Sequence, residues 1–111
     1  MPDQKRRVLI TGASGLIGSL CIKHLGDEYE FSGLSRRKVE GIPHLQASIE
    51  EAKKIKPAFE GIDTVIHLGA WNTDVFDWKG TMDVTIQGTL NVYEAAREAG
   101  VRRVLQASSG C

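Results

Sequence analysis

Val8-Leu9-Ile10-Thr11-Gly12-Ala13-Ser14-Gly15-Leu16-Ile17-Gly18 is the stretch that decides the fold. An apolar run of strand length passes directly into three glycines spaced three apart, and a helical pattern opens within them. Strand, tight glycine turn and helix start together suit a pyrophosphate. Gly12 lets the chain turn sharply, Gly15 removes a side chain where backbone must approach phosphates, and Gly18 lets the helix lie close against the sheet. The N-terminus of that helix then offers N–H groups and a partial positive charge to an anion. The plain alternative is a glycine-rich turn without a ligand, and the strand before it and the helix after it weigh against that.

Outward from this stretch, apolar runs of strand length alternate with amphipathic helical segments. Strands are expected at Arg7–Ile10, Tyr29–Leu34, His44–Ala47, Thr64–Leu68 and Arg103–Ala107. Helices are expected at Leu16–Leu25, stopped by Gly26, at Glu50–Phe59, and at Met82–Ala99, stopped by Gly100. In the last helix Ile86, Leu90, Val92, Tyr93, Ala96 and Ala99 supply the expected apolar face. Near-continuous apolar strands between such helices predict an α/β fold, a Rossmann-type doubly wound parallel sheet in the order 3-2-1-4-5. Ligands of open sheets bind at the switch point, which places Gly69-Ala70 across from the glycine loop. The longest irregular stretch runs from Trp71 to Thr81, where Trp71 and Trp78 are expected to pack or to cover the site.

The chain has 111 residues, enough for one domain, with 25% charged and 41% hydrophobic residues. Fourteen basic residues balance fourteen acidic ones. That balance lacks the basic excess of a nucleic-acid binder, and Lys5-Arg6-Arg7 reads as a solvated lead-in. Cys21 and Cys111 match no metal spacing, and Cys21 reads as a small buried hydrophobe. No apolar stretch is long enough to span a membrane and no leader is visible, so a cytoplasmic protein is expected, with no membrane or nucleic-acid partner and no metal.

Four ordered motifs make the chain resemble the extended short-chain dehydrogenase/reductases, the NAD(P)-dependent epimerase/dehydratase family. Thr11-Gly12-Ala13-Ser14-Gly15-Leu16-Ile17-Gly18 is similar to the family's cofactor loop. Asp63-Thr64-Val65-Ile66-His67-Leu68-Gly69-Ala70 is similar to its fourth-strand motif, whose backbone passes along the cofactor. Gly88-Thr89-Leu90-Asn91-Val92-Tyr93-Glu94-Ala95-Ala96 resembles its long interface helix. Val104-Leu105-Gln106-Ala107-Ser108-Ser109 resembles the strand end that carries an active-site serine. The resemblance implies cofactor contacts from Gly12, Ser14, Gly15, Leu16, Ile17, Gly18, Ser35, Arg36, Arg37, Ser48, Ile49, Leu68, Gly69 and Ala70. It implies a catalytic role for Ser109, with Ser108 as the alternative. The strand-four wording and the Ala-Ser-Ser ending are also similar to sugar-oxidising and uronate-dehydrogenase-like members.

Three departures from the family pattern matter. After strand two the family usually places an Asp that holds the adenosine ribose hydroxyls, and here the sequence is Gly33-Leu34-Ser35-Arg36-Arg37. Ser35 removes a carboxylate that would repel a 2′-phosphate, and Arg36 and Arg37 supply charge that pairs with one, which favours NADP over NAD. The alternative reading of Arg36 and Arg37 is a pair of solvated loop charges. An Asp near the end of strand three aligns with Ser48, and the Asn of the helix motif aligns with Thr85. Finally, the catalytic Tyr-x-x-x-Lys is absent. In the family that Tyr exchanges a proton with substrate, and the Lys lowers its pKa. Tyr93 is followed four residues later by Arg97, but it precedes strand five, where the family's dyad follows it, so Tyr93 reads as a packing residue.

The expectation is therefore that residues 1–111 form the N-terminal NAD(P)-binding portion of a Rossmann domain, with a C-terminally incomplete sheet and no substrate domain. The resemblance implies an oxidoreductase or epimerase acting on a sugar or sugar nucleotide, homodimeric in its complete form. The other readings are a stand-alone nucleotide-binding or interaction module without catalysis, and a non-functional gene remnant.

Overall fold

The computed structural model describes residues 5–68, 79 and 85–106. Its elements are β1 (Arg7–Thr11), α1 (Leu16–Leu25), β2 (Glu30–Ser35), β3 (His44–Gln46), α2 (Ala52–Ile55) running into a 3₁₀ turn (Lys56–Phe59), β4 (Thr64–His67), α3 (Gly88–Ala99) and β5 (Arg103–Gln106). The five strands form one sheet in the order β3-β2-β1-β4-β5, and every pairing is parallel. The order read from the sequence is the order found.

Alternation along the strands divides the core into two layers. On one face Val8, Ile10 and Phe31 join Ala13 beneath Cys21, Ile22 and Leu25 of α1. On the other face Leu9, Leu34 and Val65 meet Ile55, Phe59, Val92, Ala95 and Ala96 of α2, the 3₁₀ turn and α3. Phe59 is fully buried here, and truncation to Ala would cost about 3–5 kcal/mol.

Two expectations need correction. The helix expected over Glu50–Phe59 is only four residues of α-helix before it tightens into the 3₁₀ turn. Pro57 lies within that turn and has no N–H to continue an α-helical ladder. The second concerns α3, which carries two apolar stripes. The one that meets the sheet consists of Gly88, Val92, Ala95 and Ala96, small enough to bring the helix axis close. Leu90 and Tyr93, with Ile86 just ahead of the helix, form the other stripe and are 56%, 40% and 46% exposed. Tyr93 is thus not a core residue, and its hydroxyl donates to Oε1 of Gln106 on β5 at 2.8 Å. The first part of the expected Met82–Ala99 helix, Cys111 and most of the Trp71–Thr81 stretch lie outside the described residues.

Candidate functional site

All five strands point the same way, so the C-terminal ends of β1, β2, β3 and β4 share one edge of the sheet. The glycine turn leaves that edge from β1. Gly12 has φ 70°, a left-handed conformation that side chains rarely adopt, and its N–H donates to the Leu34 carbonyl of β2 at 2.9 Å. Gly15 stands at the N-cap of α1, so no side chain caps the helix, and no acidic residue lies in its first turn. The first-turn donors and the positive end of a ten-residue helix are therefore left for an external anion. A Cβ at Gly18 would lie 2.9 Å from Cα and the carbonyl oxygen of Ala13, which explains why the helix can start so close to the strand it leaves. Ser14, Gly15 and Ile17 are exposed on this turn, and Leu16 opens α1. The cradle fits a pyrophosphate, because it is built of backbone donors and the atoms that would fill it are missing.

Behind the loop is a hydrogen-bonded hub that the motifs alone do not disclose. His67 at the end of β4 is 2% exposed. Its Nδ1 lies 2.6 Å from Oγ1 of Thr11, and its Nε2 lies 2.9 Å from Oγ1 of Thr89 on α3. The Thr89 hydroxyl donates its one proton to the Thr85 carbonyl at 2.5 Å, so it accepts from His67 Nε2–H. Nδ1 of the neutral ring then accepts from Thr11, whose Oγ1 also receives the Leu68 N–H at 3.1 Å. Burial holds the His67 imidazole below its ordinary pKa, in keeping with that neutral ring. One side chain thus ties the root of the glycine loop to the end of β4 and to the first turn of α3.

Ser35, the last residue of β2, is buried, while Arg36 and Arg37 just beyond it are exposed. Neither guanidinium has an ion-pair partner among the described residues. After β3, Ser48 receives the Glu50 N–H on its hydroxyl at 3.4 Å. The Ile49 side chain is 6% exposed and belongs to the core, while its carbonyl accepts from Nδ2 of Asn91 at 2.9 Å. Ile49 can therefore present only backbone to a ligand. Leu68 follows β4 directly, with its N–H shared between the carbonyl and the hydroxyl of Thr11. Gly69, Ala70, Ser108 and Ser109 lie outside the described residues. Among the described residues no cluster of His, Cys, Asp and Glu could hold a metal, and no helix is long and apolar enough to cross a membrane.

A parallel sheet in this order, whose first strand passes through a glycine turn into a helix, defines a Rossmann nucleotide-binding unit. The chain belongs to the NAD dependent epimerase/dehydratase family, whose profile it matches over residues 8–111. It is 33% identical over 103 residues to an L-arabinose 1-dehydrogenase (NAD(P)(+)) of Haloferax volcanii, covering 93% of this chain and 41% of that protein. It is 30% identical over 109 residues to a uronate dehydrogenase of Pseudomonas putida, covering 93% and 40%. Among solved structures, a mutant uronate dehydrogenase from Agrobacterium tumefaciens complexed with NAD superposes with a TM-score of 0.85 at 26% identity, covering 96% of this chain and 42% of that one. The Bordetella bronchiseptica enzyme WbmG in complex with NAD gives 0.82 at 29%, covering 94% and 37%. The chain spans about two fifths of the length of these relatives. The arabinose dehydrogenase is named for NAD(P)(+), and the two solved structures hold NAD.

Proposed function

We propose that this chain is the coenzyme-binding part of an oxidoreductase or epimerase acting on a sugar or sugar nucleotide. The observation that carries the proposal is the uncapped N-terminus of α1 behind Gly12 and Gly15, set on the same sheet edge as Ser35-Arg36-Arg37. In this reading Gly12, Ser14, Gly15, Leu16, Ile17 and Gly18 hold the pyrophosphate through backbone. Arg36 and Arg37 face the adenosine ribose, and their unpaired charges favour the 2′-phosphate of NADP. Ser48, Ile49, Leu68, Gly69 and Ala70 line the adenine and ribose path. The nicotinamide supplies a hydride donor or acceptor when bound. His67 holds the loop and strand that frame it, and Ser109 is the residue that would hold a substrate oxygen. The relatives named for arabinose and uronate oxidation support the sugar class. The stripe of Leu90 and Tyr93 on α3, with Ile86 just ahead of it, is the proposed homodimer face, and the proposed compartment is the cytoplasm.

A second reading is a nucleotide-binding module without catalysis: the one Tyr-x-x-x-basic pair on α3 is engaged elsewhere, Tyr93 with Gln106 and Arg97 with Glu94 at 2.7 Å. Titrating NADPH and NADH into this chain, with Arg36→Ala alongside, tests the coenzyme assignment. Tighter NADPH binding that Arg36→Ala selectively weakens is expected, and equal weakening of both or tighter NADH would refute the preference. Turnover of a sugar panel by the same material would eliminate the second reading.

A further inference from the structure

The turn after β2 is held by more contacts than a solvated loop needs. The carbonyls of Ser35, Arg36 and Arg37 all have a partner. Ser35 C=O accepts from the Ala47 N–H at 3.0 Å. Arg36 C=O accepts from Nε2 of Gln46 at 3.0 Å, and Arg37 C=O accepts from Oγ of Ser35 at 2.5 Å. Since the Ser35 hydroxyl has given its proton to Arg37, it accepts from Nε2–H of His44 at 2.7 Å. Two of the fixing groups, His44 and Gln46, come from β3, where Gly33 lies opposite His44 and Ser35 opposite Gln46.

The His44 ring reaches Ser35 by lying across the position of Gly33. A Cβ there would meet Cδ2 of His44 at 2.8 Å and Cβ of Ala13 at 3.0 Å. The ring's other nitrogen, Nδ1, is buried and has no hydrogen-bond partner among the described residues. A proton there would have no acceptor, so the neutral Nε2–H form is the one the site accommodates. Burial first and the charge of Lys38 second lower the His44 pKa, in agreement with that form. The result is a turn of fixed shape that presents two exposed guanidinium side chains, and Ser35 is not free to bind ribose.

From this arrangement we infer that His44, assisted by Gln46, is a specificity-determining positioning residue. By fixing the Ser35–Arg37 turn, these two β3 side chains set how strongly the site distinguishes a 2′-phosphate from a 2′-hydroxyl on the adenosine ribose. The inference rests on the coenzyme reading above. A guanidinium held in place by its own backbone loses less freedom when it pairs with a phosphate than one on a loose loop. A monovalent contact from a free loop would give charge attraction without that geometric advantage.

The test uses adenosine 2′,5′-bisphosphate and AMP, which differ only in the 2′-phosphate, titrated into the 111-residue chain and followed by calorimetry, with a denaturant melt for each variant. In His44→Ala the ratio of the two affinities is expected to fall about tenfold, mainly through loss of the bisphosphate. Gln46→Ala, at an exposed position, is expected to move the ratio in the same direction by less. His44→Gln, whose amide can donate to Ser35, is expected to recover most of the loss. A ratio unchanged in both alanine variants, or equal loss for both nucleotides, overturns the inference. If the unaltered chain prefers AMP yet His44→Ala still shifts the ratio, the NADP preference fails while the role of His44 stands. Binding of neither nucleotide overturns both.

Discussion

Oγ1 of Thr11 lies 2.6 Å from Nδ1 of His67 across 56 residues of chain, and both residues are buried. Thr11 is the last residue of β1 and the first of the glycine loop, so this bond fixes the point from which the loop departs. His67→Phe removes the ring nitrogen bonded to the buried Thr11 hydroxyl and the one bonded to Thr89, and is expected to cost about 1–3 kcal/mol. Thr11→Val should cost a similar amount, and the double variant should cost less than their sum, because both remove the same bond. Denaturant melts of the four proteins check this, and strict additivity would show that the two residues act separately.

Acidification should weaken the fold in a defined window. Burial lowers the His67 pKa in the folded chain, while unfolding returns it to 6.5. Below that pH the unfolded state binds a proton that the folded state excludes. The stabilisation is therefore complete above 6.5 and is lost as pH falls toward the folded pKa. His44 acts with the same sign. Melting midpoints measured from about pH 8 to about pH 5 should fall through this range, and His67→Gln should flatten part of the slope.

Two glycines of the loop should fail in different ways. A side chain at Gly15 projects from an exposed N-cap, 3.3 Å from the Gly12 carbonyl. Gly15→Val is expected to reduce coenzyme affinity by more than about tenfold while shifting stability by less than about 1 kcal/mol. Gly18→Val instead drives a Cβ to 2.9 Å from the Ala13 backbone, and it should destabilise the chain by about 1–3 kcal/mol. Calorimetry and melts on each variant separate the two outcomes.

The far edge of the sheet should make this chain associate. Among the described residues β5 pairs with β4 alone, and Leu105 on it is 55% exposed. A strand that exposes a leucine and has one edge unpaired among the described residues invites another chain. Sedimentation velocity is expected to show association that grows with concentration and that Leu105→Lys reduces. A monomer at all concentrations with a cooperative melt would identify the chain as a self-sufficient domain.

The sheet order and the glycine turn were legible because each rests on local pattern: apolar runs of strand length, three spaced glycines, and crossovers that admit one order. The extent of α2 was not, since Pro57 lets a helix tighten where the apolar spacing continues. On α3 the period finds both stripes but cannot say which one meets the sheet. The choice of Val92, Ala95 and Ala96 over Ile86, Leu90 and Tyr93 depends on close approach, which only the tertiary structure supplies. The motif containing His67 could be read, but its partners Thr11 and Thr89 could not, because 56 and 22 residues separate them from it. For the same reason His44 and Gln46 passed unnoticed, being bonded to a turn that precedes them by a whole loop.

The register around β1 has a consequence for chain length. Thr11 stands level with Leu34 on one side and His67 on the other, and Ser35 stands level with Gln46. Strand neighbours alternate between faces, so removing one residue ahead of Val8, with the chain before it held in place, would turn Thr11 away from His67 and move Val8 and Ile10 to the layer of Leu9. The glycine loop would then start from the wrong side of the sheet. Substitutions along these strands can be absorbed one at a time, whereas a single deletion breaks every contact of the loop at once. Drift in this lineage should accordingly change the letters between residues 7 and 11 while leaving their number fixed.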